Sequence, residues 1–200
     1  MLRAGLLKGS FIPDRAQRDL RDLTRYRRKK VQEVTAEKNR MLKVFEDANL
    51  KLSSVFSNVN GVTCTRIIDE ILKGNTDPDS LASLCTHGKL KSSKEQIRDA
   101  VEGVFTEHHK FMLKAIRRSI ASLEEEIAEL ETEIDRRCEP VQEEIERLCT
   151  IPGIDKTGAK ELIAEIGVNM EVFPTAANLA SWSGVSPGNN ESAGKKKART

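Results

Sequence analysis

Few residues of this 200-residue chain have types and spacings that could do chemistry. The first group is a turn, Ile151-Pro152-Gly153-Ile154-Asp155, followed by Lys156 and Lys160. A glycine turn that feeds a helix N-terminus exposes backbone N–H groups on which a phosphate oxygen can sit. Gly153 would supply the turn, and Lys156 and Lys160, on the first turns of the helix, would add charge. Such contacts hold nucleic acid without reading its sequence. The same residues also make an ordinary structural turn between two helices, and both readings stand. Gly61, Val62 and Thr65 repeat the pattern more weakly, in the positions of Gly153, Ile154 and Thr157.

The second group is cationic. The formal net charge is only +2, but residues 15–30 hold eight Arg or Lys against two Asp, among them Arg21, Arg25, Arg27, Arg28, Lys29 and Lys30. A tail that includes Lys195 and Lys196 adds four more cations over residues 195–200. Blocks this dense are candidate phosphate-backbone contacts, although a solvated helix face has the same composition. Between them, residues 124–147 carry eleven acids against three Arg, so that stretch faces solvent or a basic partner.

Other chemistry is poorly supplied. His87, His108 and His109 do not space with Cys64, Cys85, Cys138 or Cys149 as a zinc site, and the cysteines read as reduced, buried thiols. No phosphate-binding P-loop or dinucleotide fingerprint occurs. No apolar run is long enough to span a membrane and no signal peptide is recognisable, so a cytoplasmic protein without membrane contact is expected.

These groups must be positioned by helices. Charged residues make up 32% of the chain and aromatics only 4%, a balance that suits long solvated helices with narrow apolar stripes. Pro13-Asp14 predicts a helix start, with the helix running to about residue 52. A short helix is expected over 63–73, stopping at Gly74, and another from Asp77-Pro78. Ser92 and Glu95 read as a capping box that opens a long helix toward residue 149. Leu113, Ile116, Ile120, Leu123, Ile127, Leu130 and Ile134 step by three and four, which is a heptad seam. Its partner is either a second copy or the helix at 14–52. Pro140 predicts a kink or restart. No alternating strand pattern appears, so the fold expected is mainly α.

Beyond these readings, Phe173-Pro174, Leu179-Ala180-Ser181-Trp182, Gly184, Pro187-Gly188 and Ser192-Ala193-Gly194-Lys195 form one long pattern. It resembles the C-terminal domain of insertion-sequence transposases of the IS110/IS116 group, to which the Piv invertase belongs. Phe11-Ile12-Pro13 through Arg27 also resembles that family's middle region.

The resemblance implies a DNA recombinase with a RuvC-like domain, whose Asp-Glu-Asp-Asp carboxylates bind divalent metal (Mg), and a C-terminal domain with a nucleophilic serine. Carried over by motif, that serine is Ser192; taken alone, it is a loop serine in a Gly/Asn-rich turn. Ser181, Ser183 and Ser186 read as cap and turn residues. The organisation it implies is a basic helical region over 1–92, a long coiled-coil helix over 93–148, and the start of a helix-hairpin-helix-like transposase domain over 149–200.

The carboxylates are expected upstream of Met1 and the rest of the last domain beyond Thr200, so no cofactor is expected in this chain and activity alone is not. The implied partners are DNA, a structured guide RNA and further copies of the chain through the coiled coil. The alternative is a non-catalytic nucleic-acid-binding or dimerising helical remnant. An in-frame set of carboxylates upstream of Met1 discriminates the two.

Overall fold

The computed structural model describes residues 12–56, 61–85, 92–183, 191–192 and 195–196. They are almost entirely helical: α1 (Arg15–Asp47), α2 (Leu52–Val55), α3 (Val62–Lys73), α4 (Pro78–Ser83), α5 (Lys94–Val101), α6 (Glu107–Cys138), α7 (Gln142–Cys149), α8 (Lys156–Ile166) and α9 (Ala176–Trp182). Short 3-10 turns cover Glu139–Val141 and Met170–Val172, and a two-residue ladder joins β1 (Glu191–Ser192) to β2 (Lys195–Lys196). The chain forms two compact units, residues 25–135 and residues 1–24 with 136–200.

Helix ends follow their capping residues. The Asp14 carboxylate accepts from the Gln17 amide at 2.8 Å and opens α1. The helix stops at Asp47, short of the expected residue 52, because Asn49 turns left-handed at φ 60°. The Leu50 amide then donates to the Phe45 carbonyl at 2.8 Å, and Leu50 folds into the core. Gly74 closes α3 the same way at φ 102°.

The capping box that opens α5 is one residue later than expected: the Ser93 side chain accepts from the Gln96 amide, and the Gln96 side chain accepts from the Ser93 amide. The long helix expected from residue 93 is interrupted over 102–106, where the Val104 amide donates to the Ala48 carbonyl at 3.0 Å. At Pro140 the α-helix gives way to the 3-10 turn, as its missing N–H requires.

The core of the 25–135 unit is aliphatic. Cys64, Ile67, Ile68 and Ile71 form the inner stripe of α3. They join Met41, Phe45, Leu50, Leu81, Ile97 and Leu113 in one buried cluster. Burial, then the neighbouring Cys85, pushes the Cys64 thiol up to about 12 from its ordinary 9.0.

That shift predicts an alkaline weakness. Above pH 9 the unfolded chain releases this proton while the folded chain keeps it, so stability falls as pH rises. The loss is about 1.4 kcal/mol per pH unit. Denaturant melts at pH 8 and pH 10.5 should show the native protein losing roughly 2 kcal/mol more than Cys64→Ala over that interval. An equal loss in both would show that the folded thiol ionises normally.

In the same unit α1 and α6 run antiparallel and are tied by ion pairs. Arg27 Nε donates to Glu131 at 2.8 Å. Lys30 Nζ lies 2.7 Å from Glu126, and Lys38 Nζ lies 3.3 Å from Glu124. The acidic helix therefore faces the basic helix of its own chain. Along the expected seam Leu113, Ile116 and Ile134 are buried, whereas Ile120, Leu123, Ile127 and Leu130 are half-buried. Among the described residues no helix is long and apolar enough to cross a membrane.

Candidate nucleic-acid interface

In the unit of residues 1–24 and 136–200, α7 packs on α8 around Ile145, Ala159, Ile163 and Ala164. The turn between them needs its glycine: Gly153 sits at φ 91°, a region that costs other residues roughly 1–2 kcal/mol. Asp155 caps α8, its carboxylate accepting from the Gly158 amide at 2.7 Å. Lys156 is exposed and Lys160 half-buried on the following turn.

α7 and α8 are thus two packed helices with a left-handed glycine between them. A cap carboxylate at this helix start places negative charge beside the remaining amides, so an approaching phosphate depends on Lys156 for attraction. Gly61 does not share this geometry. It lies at φ −74°, and its likeness to Gly153 ends in the backbone.

The far end of α8 is held by α1. Arg21 Nη2 donates to the Glu165 carbonyl at 2.7 Å and Nε to the Ala164 carbonyl at 3.3 Å, and Nε lies 3.2 Å from the Glu165 carboxylate. Gln17 Nε2 donates to the same two carbonyls at 3.4 Å. These bonds satisfy orphan acceptors at a helix C-terminus. Gly167 follows at φ 74°, where a Cβ would meet the Gln17 amide at 2.9 Å.

The structure thus separates the cations that sequence alone groups together. Arg21 is bound to α8, and Arg27 and Lys30 are bound to α6. The hydrogen bond from Lys30 to Glu126 holds its ammonium above the usual lysine range, with smaller contributions from Tyr26 and Glu33. Arg25, Arg28 and Lys29 are exposed on α1, and neither Arg28 nor Lys29 has an ion pair among the described residues. The sequence marks Asp155 as the cap that opens α8, and the structure bears this out, but it gives no sign of Gln17 at the other end.

Ser192, Lys195 and Lys196 lie in the terminal ladder, with Ser192 opposite Lys195 and Glu191 opposite Lys196. Gly184 through Gly188, Ala193 and Gly194 lie outside the described residues. Ser183 makes the cap bond expected of it, Oγ donating to the Ala180 carbonyl at 3.0 Å. No set of three or more His, Cys, Asp or Glu among the described residues is placed to hold a metal ion.

Comparison with known proteins bears on this unit directly. No curated protein and no solved structure matches the chain. The family model described as "Transposase IS116/IS110/IS902 family" matches residues 145–200. The match takes in the second half of α7, the glycine turn, α8, α9 and the ladder that carries Ser192. The upstream block ending at Arg27 lies outside it, so the match spans less of the chain than the resemblance did. The segment from residue 145 to residue 200, with its paired helices, glycine turn and serine-bearing ladder, is therefore the part of the chain that is similar to transposases of the IS116/IS110/IS902 family.

Proposed function

We propose that this chain is the nucleic-acid-holding and serine-bearing part of a DNA transposase, working in the cytoplasm on DNA. The family match over residues 145–200 carries this reading, because it covers Ser192 together with Gly153, Lys156 and Lys160. In the intact enzyme the Ser192 hydroxyl attacks a phosphodiester. A serine oxygen–phosphorus bond forms, the bond to one sugar oxygen breaks, and that oxygen leaves as a hydroxyl. The phosphoserine link keeps the bond energy, so strands rejoin by the reverse attack without an energy cofactor.

Lys195, the register partner of Ser192, and the adjacent Lys196 supply positive charge to balance the phosphate. Assembly of copies through the half-buried positions Ile120, Leu123, Ile127 and Leu130, and a structured guide RNA, complete the reading.

Along α1, backbone contact falls to Arg28 and Lys29 before Arg21, Arg27 and Lys30, whose charges are already engaged. Changing Arg28 and Lys29 together to alanine should weaken duplex binding across unrelated sequences and lower the slope of log affinity against log salt by about 2. Fluorescence anisotropy at several salt concentrations measures this. An unchanged slope would remove α1 from the interface.

A further inference from the structure

A third cationic stretch lies on α6, within the 25–135 unit and far in sequence from the serine. Residues 110–118 read Lys-Phe-Met-Leu-Lys-Ala-Ile-Arg-Arg and contain no acid. Phe111, Lys114 and Arg118 stand three and four apart, so they share one helix face. All three are exposed, and Phe111 is 65% exposed in a chain with only six phenylalanines. Two neighbouring cations are already engaged: Lys110 pairs with Glu107 at 2.7 Å, and Arg117 pairs with Asp69. Lys114 and Arg118 form no ion pair among the described residues. A groove of about 460 Å3 runs between Leu72, Phe111, Lys114, Arg117 and Arg118, within the size range of ligand clefts.

We propose that this face is a binding site for single-stranded nucleic acid: one base stacks on Phe111 over the Leu72 groove, and the phosphates that lead away from it along the helix pair with Lys114 and Arg118. A large aromatic ring held in water, with two cations without an ion pair following it along the same helix face, matches the two features such a strand offers, a π face and a run of phosphates beside it. A duplex offers the phosphates but keeps its base faces stacked, so it cannot use Phe111. A second copy of this chain is the weaker occupant. Of the acids it would bring, Glu124, Glu126 and Glu131 are already tied to α1, and the exposed Glu125 and Glu129 would answer the two cations but leave the ring without a partner. The inference rests on the nucleic-acid reading above and adds to it the strand form and the place.

The test measures anisotropy of a labelled oligo-dT strand and a blunt duplex on the full chain. Phe111→Ala should weaken oligo-dT binding about tenfold or more and leave duplex binding unchanged, whereas Phe111→Trp should retain it. In a Trp182→Phe background, the Phe111→Trp fluorescence should be quenched by oligo-dT. Changing Lys114 and Arg118 to alanine should lower the single-strand salt slope by about 1.4. Circular dichroism melts keep folding in view, and an exposed side chain predicts an unchanged midpoint.

Equal loss of strand and duplex in Phe111→Ala would overturn the stacking site alone. So would unchanged oligo-dT affinity together with conversion of a dimer to a monomer, which would make the face a self-association surface. Failure of the native chain to bind either probe would overturn the parent reading as well.

Discussion

Ser192→Ala, made in a recombination-competent protein that carries this segment, should reduce strand exchange by roughly 10^4-fold or more while leaving DNA affinity within about threefold. The asymmetry follows from the chemistry. Binding is spread over many cations, and one hydroxyl adds little to it. Exchange passes through a bond that only that oxygen makes, and alanine has no oxygen to make it. A covalent protein–DNA adduct, seen as a retarded band on a denaturing gel, should disappear with the activity. Ser183→Ala is the control, because Ser183 spends its hydroxyl on the Ala180 carbonyl and should retain exchange. Normal exchange by Ser192→Ala would move the nucleophile to another residue.

The largest expected effect on stability lies at a glycine rather than at a core side chain. A Cβ on Gly103 would stand 2.4 Å from the Ala48 carbonyl oxygen and 2.9 Å from a Leu50 methyl. The carbonyl is backbone and cannot step aside without breaking its bond from the Val104 amide. Gly103→Ala should therefore cost about 3 kcal/mol or more, beyond the usual range for overpacking. In a chain of this size that lowers the melting midpoint by roughly 6–12 °C. Gly158→Ala is the contrast. Its Cβ meets only the Asp155 carboxylate, at 3.2 Å, and the helix gains from alanine, so its effect should stay within about 1 kcal/mol. Differential scanning calorimetry separates the two. A Gly103→Ala protein that melts with the native one would mean the loop lifts away from Ala48 and Leu50 at little cost.

Helix type and most helix ends were legible in the sequence because they depend on neighbours. Pro13-Asp14, Gly74, Asp77-Pro78 and Pro140 each act within a turn of their own position. The break at 102–106 was not legible. Ile97, Ala100 and Val101 keep helical spacing up to it, and what stops the helix is contact with Ala48, more than fifty residues away. The box at Ser93 was misread by one residue because two serines are each followed, three residues on, by an acceptor, Glu95 or Gln96. Geometry decides between them.

The cationic block shows the same limit in the candidate interface. Counting charge over 15–30 weighs Arg21, Arg27 and Arg28 alike, but the partners of the first two come from α8 and α6. The aromatic face on α6 was spelled out in the sequence, yet Phe111 among Met112 and Leu113 reads as core until burial is known. The serine hairpin was legible only through family resemblance, since a hydroxyl in a Gly/Asn-rich turn carries no local sign of reactivity.

The bonds from Gln17 and Arg21 to the end of α8 have a consequence for inheritance. Residues 145–200 form a recognisable block, but the last carbonyls of its second helix are satisfied by side chains more than 140 positions earlier. A crossover that swapped the block between two relatives would bring it home without its clasp unless both parents kept the glutamine and the arginine. Shuffling among such elements should therefore succeed only when the distant amino-terminal turn travels with the piece it fastens.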